Sequence, residues 1–117
     1  MGLFLMPMMF GFAQHRRQLL EAEARRFSEE APPYGAMAAW IVGDMARGLV
    51  GPETELELVI VQMTDQPFQR RGEFWESHMR PRVGTRYLVY TPEEVDDLSE
   101  TDPLLREAMT AGESIVG

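Results

Sequence analysis

Gly43-Asp44-Met45-Ala46-Arg47-Gly48-Leu49-Val50-Gly51-Pro52-Glu53-Thr54-Glu55-Leu56-Glu57-Leu58-Val59-Ile60-Val61 is the stretch on which the reading of this chain turns. A short apolar run, Trp40-Ile41-Val42, enters a glycine turn, a small-residue segment follows, and the chain turns again at Gly51-Pro52. The next strand carries two carboxylates, Glu55 and Glu57, two residues apart. Side chains at i and i+2 of a strand share a face. Two acids side by side repel one another and call for a cation, which is a metal in many active sites and an arginine elsewhere.

Working outward, Gln14 to about Glu30 has a stripe of Leu19, Leu20, Ala24 and Phe27 at helical spacing, and Ala31-Pro32-Pro33-Tyr34-Gly35 stops it. Ala38 to Val42 is expected as a first strand, Met45 to Leu49 as a short helix or turn, and Glu55 to Gln62 as a second strand. The far end of that second strand lacks alternation, which predicts burial on both faces. Thr64 to Met79 is expected as a helix, although Gly72 weakens it, and Arg86 to Tyr90 as a third strand. Thr91-Pro92-Glu93-Glu94 combines a threonine cap, a proline at the first helical position and a glutamate to close a capping box. Asp102-Pro103 starts a last short helix that ends near Ala111-Gly112, and Ile115-Val116 can add a terminal strand. This order predicts a small α+β domain, a mixed β-sheet flanked by helices.

The chain has 117 residues, enough for one domain with one modest core. It has no cysteine, which excludes disulfides, thiolate metal sites and cysteine nucleophiles. A net charge of -8 argues against general nucleic-acid binding, which needs a cationic footprint. Arg70, Arg71, Arg80, Arg82 and Arg86 cluster in the middle of the chain, and a solvated or salt-bridged surface is favoured there over a phosphate site. Leu3 to Ala13 is almost wholly apolar, too short to span a bilayer, and is followed rather than preceded by His15-Arg16-Arg17. The expectation is therefore a cytoplasmic protein with no membrane association. Residues 1 to 13 are expected as an apolar N-terminal extension, for which packing on the body or on a partner is favoured over an upstream start codon, and residues 14 to 117 as the domain.

The quoted stretch resembles the signature of the DNA polymerase beta-like nucleotidyltransferase superfamily, in particular its minimal nucleotidyltransferase branch. Gly43, Ala46, Arg47 and Gly48 match the family's Gly-Ser-x-Ala-Arg-Gly turn, and Thr54, Leu58 and Val59-Ile60-Val61 match its Ser-Asp-x-Asp-Leu strand. Tyr87-Leu88-Val89-Tyr90-Thr91-Pro92-Glu93-Glu94 resembles its third strand and the helix start after it. The resemblance implies a nucleotidyltransferase-like fold. It also implies transfer of a nucleoside monophosphate from a nucleotide triphosphate to an acceptor hydroxyl, with magnesium held by three aspartates and the triphosphate held at the glycine turn. Some relatives act as antitoxins of a small helical HEPN-type protein.

The reactive positions depart from that pattern. Asp44 stands for the family serine, Glu55 and Glu57 for the two aspartates, and Arg86 for the third. Two glutamates lengthen both metal ligands, and about 1 Å of misplacement can cost on the order of a hundredfold in rate. Asp44 sets an anion where the triphosphate would sit; as a cap for the short helix after it, it makes better sense. Arg86 cannot bind a metal and would compete with one for Glu55, Glu57 or Asp44. Gly43, Asp44 and Arg47 are the candidate nucleotide contacts, with Arg47 equally suited to buttress the turn through backbone carbonyls. Glu55 and Glu57 are metal ligands only in an active protein; otherwise no cofactor is expected. His15 and His78 lack metal spacing, no serine sits in a nucleophile elbow, and Phe74-Trp75 reads as core rather than as a stacking platform. The expected function is a nucleotidyltransferase-like domain whose activity has lapsed. The alternative is a noncatalytic interaction module such as the antitoxin-like partner of a small helical protein, with a homodimer or such a partner expected.

Overall fold

Four strands form one mixed sheet: β1 (Ala38–Val42), β2 (Leu56–Val61), β3 (Thr85–Tyr90) and β4 (Glu113–Val116), in the spatial order β3-β2-β1-β4. The structure, a computed structural model, describes the backbone of residues 2–117 and the side chains of residues 11–117. β1 runs antiparallel to both β2 and β4, and β2 runs parallel to β3. Trp40 lies opposite Val59, and Glu57 lies opposite Arg86. Among the described residues five α-helices complete the fold: α1 (Gly2–Glu30), α2 (Gly43–Ala46), α3 (Arg71–Met79), α4 (Pro92–Leu98) and α5 (Pro103–Ala111). This is the α+β architecture expected.

The pleat of β2 explains its unbroken apolar run. Leu56, Leu58 and Ile60 point to one face, where they pack with Leu20, Ala24 and Phe27 of α1 and with Trp75 and Met79 of α3. Val59 points to the other, where it meets Val42, Tyr90 and the Leu105 and Ala108 of α5. A strand covered on both sides needs no polar alternation. The Thr91 capping box forms as the sequence predicts, with Glu94 N–H donating to the Thr91 hydroxyl and Thr91 N–H donating to the Glu94 carboxylate. Asp102 caps α5 through the N–H groups of Leu104 and Leu105.

Three elements differ from expectation. α1 begins at Gly2, so the backbone of the apolar segment continues the helix expected from Gln14. The packing expected of residues 1 to 13 rests mostly on side chains outside the described residues. The helix expected from Thr64 starts only at Arg71, after a single 3-10 turn at Phe68–Arg70. Pro67 is the cause: it is extended, with φ -61° and ψ 149°, and its ring disfavours helical backbone at Gln66. β2 begins at Leu56, one residue past Glu55.

Arg71, expected at the surface, is buried and holds three segments together. Its Nε donates to the Gln66 carbonyl at 2.8 Å, its Nη1 donates to the Val89 carbonyl at 3.1 Å, and its guanidinium makes two bonds to Glu94. The Arg71 bonds, followed by the Thr91 N–H bond, hold the Glu94 carboxyl below its ordinary range. Beside it, Gly72 lets α3 close against the outer edge of β3, where an added Cβ would lie 3.2 Å from the Tyr87 carbonyl oxygen.

Candidate functional site

β1 leaves the sheet at Val42, and the chain turns through Gly43 at φ +75°, a conformation that side chains with a Cβ rarely adopt. Glycine is required here for a second reason. A Cβ on Gly43 would lie 1.8 Å from Glu57 Oε2, so the Glu57 carboxylate rests on the turn itself. The β2–β3 register sets Arg86 beside Glu57, and Arg86 Nη1 lies 3.1 Å from Glu57 Oε1. The arginine side chain is 58% exposed and the glutamate side chain 25%.

A residue the sequence reading did not single out completes the turn. Glu107, on α5, accepts the Gly43 N–H through Oε2 at 2.7 Å and accepts Arg47 Nη2 through Oε1 at 3.0 Å. Arg47 Nη1 in turn stands 3.5 Å from Asp44 Oδ1. Two cations and three anions thus line the turn: Arg86 beside Glu57, and Arg47 between Glu107 and Asp44. A backbone N–H at the start of a helical turn attracts anions, and here the anion comes from the protein's own α5. The sequence offers one signal for Glu107, its place beside the apolar face of Leu105 and Ala108. That face says the helix docks, but not on which strand end.

Of the residues singled out in the sequence, Gly43, Asp44, Arg47, Glu57 and Arg86 come together. Glu55 does not join them. It is exposed and lies against Gly84, where an added Cβ would be 2.7 Å from its Oε2. It takes part in no ion pair among the described residues. Asp44 is not the helix cap expected; Val42 holds that position, and Asp44 sits in the first turn of α2. Arg47, weighed as a nucleotide contact or as a buttress through backbone carbonyls, instead contacts the side chains of Glu107 and Asp44. Among the described residues, no group of three or more His, Asp or Glu is placed to hold a metal ion, and no helix is long and apolar enough to cross a membrane. His78 bonds the Phe74 carbonyl and stacks on the Phe74 ring. Trp75 is core, its Nε1 donating to Gln62 Oε1 at 2.9 Å.

No family model matches the sequence, and no functionally described protein matches it in sequence. In structure, the chain is similar to a candidate nucleotidyltransferase from Sulfolobus solfataricus, with a TM-score of 0.57 and 19% identity. The match covers 74% of this chain and 79% of that one. At this identity the likeness shows the fold, which is nucleotidyltransferase-like.

Proposed function

We propose that this domain keeps the nucleotidyltransferase-like fold without its chemistry and acts as a noncatalytic interaction module. One observation carries this reading: the Gly43 N–H, the group that would meet a triphosphate, is bonded by the Glu107 carboxylate at 2.7 Å. An intramolecular anion loses no translational freedom on binding, so an incoming phosphate competes at a disadvantage. It would also have to approach Asp44, Glu57 and Glu107, three carboxylates on one turn.

The donor set supports the same reading. Magnesium for this chemistry needs acids converging from neighbouring strands. Here Arg86 stands opposite Glu57 in the ladder and Glu55 lies apart on Gly84, so the residues present do not fit a two-metal centre. The partner that the sequence resemblance suggests is a small helical protein.

Thermal unfolding with and without magnesium and ATP tests the proposal. A ligand at a hundred times its Kd adds about 2.7 kcal/mol of stability, a rise in Tm of about 10 °C for a domain of this size. The expected result is no rise at about 1 mM nucleotide; a rise approaching that size would restore the case for an active, glutamate-based enzyme.

A further inference from the structure

The two edges of the sheet are treated differently. Along β3 the outer edge is covered by α3: Gly72 sits against the Tyr87 carbonyl, and Arg71 donates to the Val89 carbonyl. Among the described residues, no helix donates to or closes on the outer edge of β4 in this way. β4 is last in the strand order and pairs only with β1. An uncovered edge presents a row of unused N–H and C=O groups, which proteins either shield or use for pairing.

Beside β4, between that strand and α1, runs a groove of about 350 Å³. Its floor includes Ile41 and Ile115, and its rim carries Arg17, Glu21, Arg25 and Glu113. Among the described residues none of those four charged side chains takes part in an ion pair. The groove therefore holds two cations and two anions with no ion-pair partner among the described residues.

We propose that this edge is a homodimer interface, in which β4 pairs antiparallel with β4 of a second copy and the two grooves meet. The charge pattern selects the occupant. A uniformly acidic partner segment would be repelled by Glu21 and Glu113, and a uniformly basic one by Arg17 and Arg25. A second copy related by a twofold axis offers the same two signs in reverse order, which is what an isologous contact requires. An antiparallel pair centred on Ser114 sets Glu113 opposite Ile115 of the partner subunit, with both side chains on the α1 face. The carboxylates of each copy then approach the arginines of the other, and the sheet becomes continuous across the dimer. This inference does not depend on whether the Gly43 turn is catalytic.

Sedimentation velocity from about 1 to 100 μM, with circular dichroism to confirm folding, tests it through charge reversal. Wild type should dimerise within that range. Arg17→Glu with Arg25→Glu makes the groove wholly acidic, and Glu21→Arg with Glu113→Arg makes it wholly basic. Each double variant alone should associate at least ~100-fold more weakly, because like charges then face each other across the axis. Mixing the two should restore a dimer. A wild type that stays monomeric throughout overturns the proposal. So do double variants that dimerise as well as wild type, which would place the interface elsewhere, and so does a mixture that fails to associate.

Discussion

Gly43→Ala separates backbone strain from the contact that Glu57 makes with the turn. Gly43 and Gly48 both have φ +75°, so alanine at either site suffers the same left-handed conformation, at about 1–2 kcal/mol. Their surroundings differ. A Cβ at Gly48 meets nothing within 4 Å, whereas at Gly43 it would lie 1.8 Å from Glu57 Oε2 and 2.8 Å from its carboxyl carbon. The carboxylate must swing off the turn and give up Arg86, an exposed pair worth up to about 1 kcal/mol. Any shift of Gly43 also disturbs the charge-assisted bond to Glu107, worth about 1.5–3 kcal/mol when fully lost. Gly43→Ala should therefore destabilise by about 1–2 kcal/mol more than Gly48→Ala, read in urea or thermal unfolding as roughly 3–8 °C of additional Tm loss. In a Glu57→Ala background the carboxylate is gone, and the two glycine substitutions should converge. Equal penalties in the wild-type background, or a Gly43→Ala penalty that Glu57→Ala leaves unchanged, would refute the placement of Glu57 on the turn.

Arg86→Asp sets two carboxylates opposite each other in the β2–β3 ladder; unfolding in EDTA should show a loss of about 1 kcal/mol that added magnesium reverses, while wild type shows no magnesium response. Glu94 has a folded-state carboxyl held below its ordinary value of 4.5, so its contribution is full above that pH and is lost as the pH falls through the lower folded value. Glu94→Gln should thus be less stable than wild type at neutral pH and approach it in acid; a gap that stays constant down to about pH 3 would contradict this. Gly112→Ala would bring a Cβ to 2.5 Å from the Ala108 carbonyl oxygen and 2.9 Å from its Cα, both backbone atoms that cannot step aside. A loss of about 2–3 kcal/mol is expected, and circular dichroism melting that shows less than about 0.5 kcal/mol would mean that α5 and β4 join differently.

The sequence exposes this fold wherever a short-range rule decides the structure. Thr91-Pro92-Glu93-Glu94 and Asp102-Pro103 start helices because their caps act within four residues. The apolar run of β2 announces a strand covered on both faces, and the Gly43 turn is visible because a left-handed backbone favours glycine. Gln66 is the instructive miss: the residues after it suit a helix, but the steric rule at Pro67 overrides propensity. The site is legible only in part, for a different reason. Glu57 and Arg86 meet through a parallel ladder whose register the family resemblance supplies. Glu107 comes from the last helix, and no local pattern states against which strand end a docked helix will place one charged side chain.

The position of β4 bears on the order in which the molecule assembles. β1, β2 and β3 follow one another along the chain and are neighbours in the sheet, so each pairing closes a moderate loop. β4 instead joins β1 across nearly the whole intervening chain, Ser114 beside Trp40, and does so at an edge with one neighbour. Long closure and a single ladder put this strand at the low end of local stability. In native-state hydrogen exchange its amides should open well before those of β2, which is held between two strands and beneath two cores. The molecule then behaves as a three-stranded folding unit with a late-closing fourth strand, whose protection rises with whatever it pairs with on its open side.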